Sequence, residues 1–454
     1  MRENIRGLPY WEITFDKDGN LVDDGGLESE LAADELFVFS HGWNSSPAGA
    51  RRHYDFMFDQ LARMTAGHAI GFAGVIWPSL LFPEDDPAAS GPLPTGPAAG
   101  GPLPTGPAAS GPLPTVPGAA RSTPLAPPGP PPAQAPRSSG AEIAAALAPA
   151  FPNHQAELAM LGGLLDQRPP DPQQLLTFIE LTRGLIGTDN DIEEDRGEGM
   201  VLTSSPRTVL DTMSMLAPLP SPDARAGLTP FGVLWKGAKE LLRVAAYYEM
   251  KNRAAVVGRR GLGPLLGRLA GRPGAPRVHL IGHSFGARLV AYTLAGLPPA
   301  LRGHASPVKS LLLIQGAFSH FAFAANAPVS AGRGALAGEA DRVDGPLLAT
   351  FSRNDRAIGW WYPNASRLAW LDAQSLVNPN FRWGGMGTDG FQQAAAQTVP
   401  LGPEGSQYKF QPGTFYRLDG DDVISHGWSF FAGAHSDIDQ PHLAWAATSA
   451  AGLV

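Results

Sequence analysis

The residues Gly282-His283-Ser284-Phe285-Gly286 constrain this chain more than any other stretch. They follow a strand pattern, Arg277-Val278-His279-Leu280-Ile281, and lead into a helical pattern that runs from Phe285 through Leu294. A turn from strand to helix that tight leaves no room for a side chain two positions either side of the serine, so glycine stands at both. The serine is then presented at the carboxyl end of a strand, the geometry of a nucleophile elbow. The bland alternative is a Gly-rich turn that happens to hold a serine.

The flanking sequence extends the same rhythm. Tyr10–Phe15 alternates as a strand should, Asp18-Gly19-Asn20 makes a turn, and Leu21-Val22 can return as a second strand. Leu36–Ser40 is a continuous apolar run, which suits a strand covered on both faces. A helix is expected over about Ala48–Thr65, with Tyr54, Phe56, Met57, Phe58, Leu61 and Met64 on one face, followed by a short strand at Gly74–Pro78. Further strands are expected at Val308–Ile314, Pro346–Ser352 and Phe415–Asp419. Strand–helix–strand units predict an α/β protein with a mostly parallel central sheet flanked by helices.

Two stretches interrupt that frame. Gly91–Ala99 is repeated as Gly101–Ala109 and begins again at Gly111. A ten-residue repeat this rich in Pro and Gly forms neither helix nor central strand, and it has little apolar surface to offset the entropy of ordering. Residues 83–140 are therefore expected to be a disordered, partly polyproline-II insert, with recruitment of a Pro-binding protein partner as the functional alternative. Residues 141–225 show helical spacing broken by Pro and Gly and read as a helical cap insertion. Within it, the acidic run Asp189–Asp195 could hold a divalent cation, although a solvated loop is the preferred reading. A long amphipathic helix is expected from Phe231 to about Val257. The core is thus divided between residues 1–82 and 226–454.

Composition narrows the chemistry. With no cysteine, thiolate catalysis, disulfides and Cys-type zinc or iron–sulfur sites are impossible. A formal net charge of −8 argues against a nucleic-acid groove, which needs a basic patch. The amino-terminal residues lack the apolar run of a signal peptide, and no segment reaches about 18 consecutive apolar residues. A cytoplasmic protein without integral membrane association is the expectation.

A serine hydroxyl needs a base within hydrogen-bond reach, and the base needs an orienting carboxylate. After an elbow the expected chain order is Ser, then Asp or Glu, then His. Asp355 follows the strand ending at Ser352 and falls at its carboxyl end, where the elbow projects. Asp341 and Asp344 precede that strand and fall at the opposite end. His435 lies in the small-residue loop Gly433-Ala434-His435-Ser436 beyond the last strand. His426 is its main rival, with His320 and His442 behind. His283 flanks the serine and is read as packing or as a donor to backbone. An oxyanion would be bound by two backbone N–H groups. One is that of Phe285, and the other is that of Trp43 in His41-Gly42-Trp43, where glycine lets the chain turn an N–H inward.

Four segments, Ser40-His41-Gly42-Trp43, Gly282-His283-Ser284-Phe285-Gly286, Ser352-Arg353-Asn354-Asp355 and Gly433-Ala434-His435, together resemble the α/β-hydrolase superfamily. More narrowly, with Asn44 and Trp77-Pro78, the chain looks like bacterial serine esterase or lipase-like hydrolases of undefined substrate. The likeness covers about residues 10–82 and 230–445. It implies an α/β-hydrolase fold, a Ser284–Asp355–His435 triad, an oxyanion hole at Trp43 and Phe285, no cofactor and no metal. It does not imply a substrate, because this fold carries many reactions. The leading expectation is hydrolysis of a small-molecule or lipid-like carboxylic ester through an acyl-enzyme. A thioesterase, amidase or acyltransferase with the same triad, or a non-catalytic scaffold acting through the Pro-rich insert, stand as alternatives.

Overall fold

The computed structural model describes residues 4–80, 82, 138–186, 201–216, 229–327, 332–355, 357–358, 384–393, 395–426 and 434–454. The Pro/Gly-rich repeat, the acidic run Asp189–Asp195 and Gly433 lie outside these residues.

Among the described residues ten strands form a single sheet. In chain order they are β1 (Asn4–Ile5), β2 (Leu8–Phe15), β3 (Leu21–Asp23), β4 (Glu35–Ser40) and β5 (Ile70–Ile76). The second half of the chain adds β6 (Arg277–His283), β7 (Val308–Ile314), β8 (Leu347–Phe351), β9 (Gln397–Pro400) and β10 (Phe415–Asp419). Their order across the sheet is β1-β2-β5-β4-β6-β7-β8-β10-β9, with β3 also paired to β2. From β2 to β9 every neighbouring pair is parallel. Only β1 and β3 run antiparallel, both against β2. The molecule is therefore α/β, with a mixed but mostly parallel sheet flanked by helices.

The buried runs explain the layers. Successive strand residues point to opposite faces. Leu36 and Val38 of β4 join Leu280 of β6 under the helices Pro230–Val256 and Phe285–Gly296. Phe37 and Phe39 face the other way, under the helices Pro47–Met64 and Pro441–Ala451. Helix Pro47–Met64 starts where its sequence dictates: Ser46 Oγ accepts from Gly49 N at 3.1 Å, and proline occupies the first turn. Tyr54, Met57, Phe58 and Leu61 form its buried stripe, each contributing about 1.5–3 kcal/mol on burial, whereas Phe56 and Met64 sit only half-buried at its margin.

Helices Gly140–Leu147, Gln155–Gln167, Pro172–Leu185 and Pro206–Leu216 occupy the expected cap segment. Ser139 and Glu142 form a capping box at the first of them. Gly140 and Gly162 let two helices cross closely, since a Cβ on Gly140 would stand 2.0 Å from the Gly162 carbonyl oxygen. Helices Gln155–Gln167, Pro172–Leu185 and Pro206–Leu216 pack on helix Pro230–Val256, which also rests on helix Phe285–Gly296. One long element thus connects the cap to the elbow. Among the described residues no helix is long and apolar enough to cross a membrane.

The sheet order positions the site. The chain leaves β4 for β5 on one side and later returns to β6 on the other side of β4. A crevice opens at the carboxyl ends of the strands where the order reverses in this way. The register sets Ser40 opposite Gly282, so the loop after β4 and the turn after β6 leave the sheet side by side.

Candidate active site

Ser284 has φ 57° and ψ −120°, a conformation L-residues avoid and one that costs about 1–3 kcal/mol. The surroundings hold it there from both sides. Its N–H donates to the Ile314 carbonyl at 3.0 Å, and its own carbonyl accepts from Ala287 and Ala317 at 3.1 and 3.2 Å. The flanking glycines are required by contact. A Cβ on Gly282 would lie 2.3 Å from the Gly286 oxygen, and one on Gly286 would lie 2.1 Å from the Ser40 oxygen. The elbow is therefore wedged against the end of β4 as well as bent.

Three of the expected residues form one hydrogen-bonded line. His435 Nδ1 lies 2.7 Å from Asp355 Oδ2, and His435 Nε2 lies 2.8 Å from Ser284 Oγ. Because a carboxylate only accepts, Nδ1 carries the proton and Nε2 is left to accept from the serine hydroxyl. Ser284, His435 and Asp355 are 5%, 8% and 1% exposed, so water barely competes for these bonds. Asp355 is held in turn by Ile358 N on Oδ1 and by Gln315 Nε2 on Oδ2, both at 2.9 Å. The base loop is tied to the acid loop, since Ala434 N donates to the Asn354 carbonyl at 3.0 Å.

The competing residues are engaged elsewhere. Asp344 pairs with Lys309 at 2.7 Å and Asp341 pairs with Arg302, both at the far end of β8. The His426 side chain is largely exposed and lies 3.5 Å from Asp437. His320 Nδ1 lies 2.7 Å from Asp389 Oδ1. His283 is a donor to backbone: its Nε2–H points to the His435 carbonyl at 2.9 Å.

The loop after β4 abuts Ser284. A Cβ on Gly42 would stand 2.7 Å from the Ser284 Cβ, so only glycine fits. Buried polar bonds lock this loop. His41 N donates to Tyr54 Oη at 3.0 Å, and Tyr54 Oη donates to the Val75 carbonyl at 2.5 Å. His41 Nδ1 donates to the Gly42 carbonyl at 2.9 Å, and the His41 carbonyl accepts from Trp77 Nε1 at 3.0 Å. Burial pushes the His41 imidazole down to about 4, so the ring is neutral near pH 7. The Trp43 ring packs 6.1 Å from that of Phe285 and 5.8 Å from that of Tyr247. Phe285 opens the elbow helix, where a first-turn N–H has no partner within the helix.

Sequence reasoning passed over Gln315 and Thr350. Gln315 follows β7 directly, with φ 46°, and is fully buried. A polar residue straight after an apolar strand at the carboxyl edge of the sheet was the available signal. Among the described residues no group of three or more His, Asp or Glu converges to hold a metal ion. No protein-family model matches this chain, and neither does any curated protein or any solved structure.

Proposed function

We propose that this chain is a serine hydrolase of the α/β-hydrolase type that cleaves a carboxylic ester through an acyl-enzyme. One observation carries the proposal: the continuous line Ser284 Oγ–His435–Asp355 at 2.8 and 2.7 Å, built on a strained elbow. The parallel sheet supports it too, with the nucleophile after β6, the acid after β8 and the base after β10.

In this reading Ser284 Oγ attacks the ester carbonyl carbon while its proton passes to His435 Nε2. Asp355 stabilises the resulting imidazolium and keeps it oriented. The carbonyl oxygen becomes an oxyanion held by the backbone N–H groups of Phe285 and Trp43, each worth roughly 3–4 kcal/mol at the transition state. The C–O bond then breaks, and His435 returns the proton to the departing alcohol. Water enters, His435 accepts its proton, and the acyl group leaves as a carboxylic acid with Ser284 restored.

The test is covalent labelling with a fluorophosphonate, mapped by mass spectrometry, beside turnover of p-nitrophenyl esters. Label on Ser284, with turnover lost in Ser284→Ala, is the expected result. Unlabelled protein, or undiminished turnover in that variant, would sink the assignment. Thioester, amide and acyl-acceptor substrates assayed in parallel report which acyl chemistry the site prefers.

A further inference from the structure

We propose that Gln315 is a positioning residue that sets the charge and plane of Asp355. This rests on the serine-hydrolase reading of the same site. Gln315 Nε2 donates at 2.9 Å to Asp355 Oδ2, the same oxygen that accepts from His435 Nδ1. The side chain has no freedom to do otherwise. Thr350 Oγ1 donates to Gln315 Oε1 at 2.9 Å and accepts from Gln315 N at 3.0 Å. A carboxylate only accepts, so the NH2 group must face Asp355, which leaves Oε1 to accept from the Thr350 hydroxyl.

The placement spans two strand ends. Thr350 lies in β8, Gln315 just after β7, and Asp355 in the turn beyond β8. Gln315 adopts φ 46°, a left-handed conformation that a residue of its type seldom takes without compensation. A positive φ recurs at Ser284 and at Asn44 in the loop after β4, so the nucleophile and the residue that holds its acid are among three non-glycine residues with that backbone at this edge of the sheet. Gln315, Thr350 and Asp355 are all essentially inaccessible to solvent. A buried carboxylate that lost this donor would keep its charge with one fewer partner.

The chemical consequence has a sign. A donor on Oδ2 draws negative charge from the atom facing His435. Without it, the imidazolium is stabilised more strongly and the base becomes harder to deprotonate, so the acid limb of activity moves to higher pH. The carboxylate also loses one of the bonds that hold its plane, which lowers kcat.

The experiment compares the full chain with Gln315→Met, which keeps bulk and removes the donor, and with Thr350→Val, which leaves Gln315 in place but unfixed. Proton NMR follows the downfield Nδ1–H of His435 against pH, and steady-state kinetics give kcat and KM across pH. Gln315→Met should lower kcat about 10- to 100-fold with KM nearly unchanged, the range of one bond to a charged group. It should also raise the acid limb and the His435 titration together, with Thr350→Val shifted the same way by less. A purely structural role would lower the melting temperature and leave both limbs in place. Wild-type His435 titration and kcat in both variants would overturn the proposal. The NMR titration needs no substrate, so it reports on Gln315 even if Ser284 fails to label and the hydrolase reading falls.

Discussion

His283 Nε2 donates to the backbone carbonyl of His435 across 2.9 Å, and the two rings lie 4.9 Å apart. The residue that precedes Ser284 thus latches the loop that carries His435. Burial holds the His283 imidazole well below its usual range, so it stays neutral. Neutrality is needed there, because two unit charges at that separation would repel by about 3 kcal/mol at an effective dielectric near 20. In the proposed mechanism, His435 can become positive only beside an uncharged neighbour.

Replacing His283 by Phe keeps the ring and removes the latch. The His435 carbonyl then lacks a buried donor, which costs about 1–3 kcal/mol. We expect kcat to fall about tenfold or more while KM holds, measured on a short-chain p-nitrophenyl ester. Unchanged kcat in a folded variant would show that the loop is held without the latch.

Asp355→Asn preserves shape and removes charge. The donors Ile358 N and Gln315 Nε2 meet two carboxylate oxygens, and an amide offers only one. Its NH2 group, turned to His435, would favour the tautomer protonated on Nε2, which cannot accept from Ser284. A loss of about 10⁴ in kcat is expected by analogy with the known Asp→Asn effect in a Ser-His-Asp triad. Kinetics in this variant, with circular dichroism to verify folding, provide the check. A loss below tenfold would remove Asp355 from the relay.

Much of this architecture was legible because its signals are local. Leu36–Ser40 and Val308–Ile314 read as buried strands since both faces of a parallel sheet demand apolar side chains. The elbow was legible because its glycines answer a steric need set within five residues. The order Ser, Asp, His came with the elbow motif; the carboxyl end of its strand then selected Asp355, and the small-residue loop beyond the last strand selected His435. Gln315 and Thr350 were not legible, and for His283 the sequence offered packing or donation to backbone without showing that the acceptor is the His435 carbonyl. Their roles come from pairing across β7, β8 and the loop beyond β10, and nothing in their immediate sequence marks it. Apolar spacing puts Phe56 on one face with Tyr54, Met57, Phe58 and Leu61, yet the buried stripe of those four leaves it at the margin.

Gly42→Ala tests how tightly the loop after β4 meets the nucleophile. The added methyl would lie 2.7 Å from the Ser284 Cβ and 3.2 Å from His283 Nδ1, closer than packed atoms allow. The elbow is wedged by Gly286 and cannot retreat, so the loop must move. Overpacking of this kind costs about 1–3 kcal/mol of stability. If the Trp43 N–H serves the oxyanion as proposed, the displacement also lowers kcat about 100-fold or more. Thermal melts and ester kinetics separate the two effects, and a variant with wild-type kcat would exclude Trp43 as an oxyanion donor.

Acid should destabilise the fold in a defined window. His41, His279 and His283 are all buried, and burial lowers each of them, His41 to about 4. A histidine depressed in the folded state binds its proton more readily when unfolded. Its contribution is therefore complete above the unfolded value near 6.5 and is lost as pH falls toward the folded value. Each group adds a slope of about 1.4 kcal/mol per pH unit within that window. His41 alone accounts for about 3 kcal/mol between pH 6.5 and 4. Asp344, lowered by Lys309 and His304 against the opposing effect of burial, adds its loss only below the ordinary carboxylate range, so the two regimes separate. Urea unfolding at a series of pH values gives the proton uptake directly. We expect uptake of two to three protons on unfolding near pH 5, reduced by about one in His41→Gln. A flat stability profile from pH 7 to 5 would mean that these rings take up protons alike in the folded and unfolded protein.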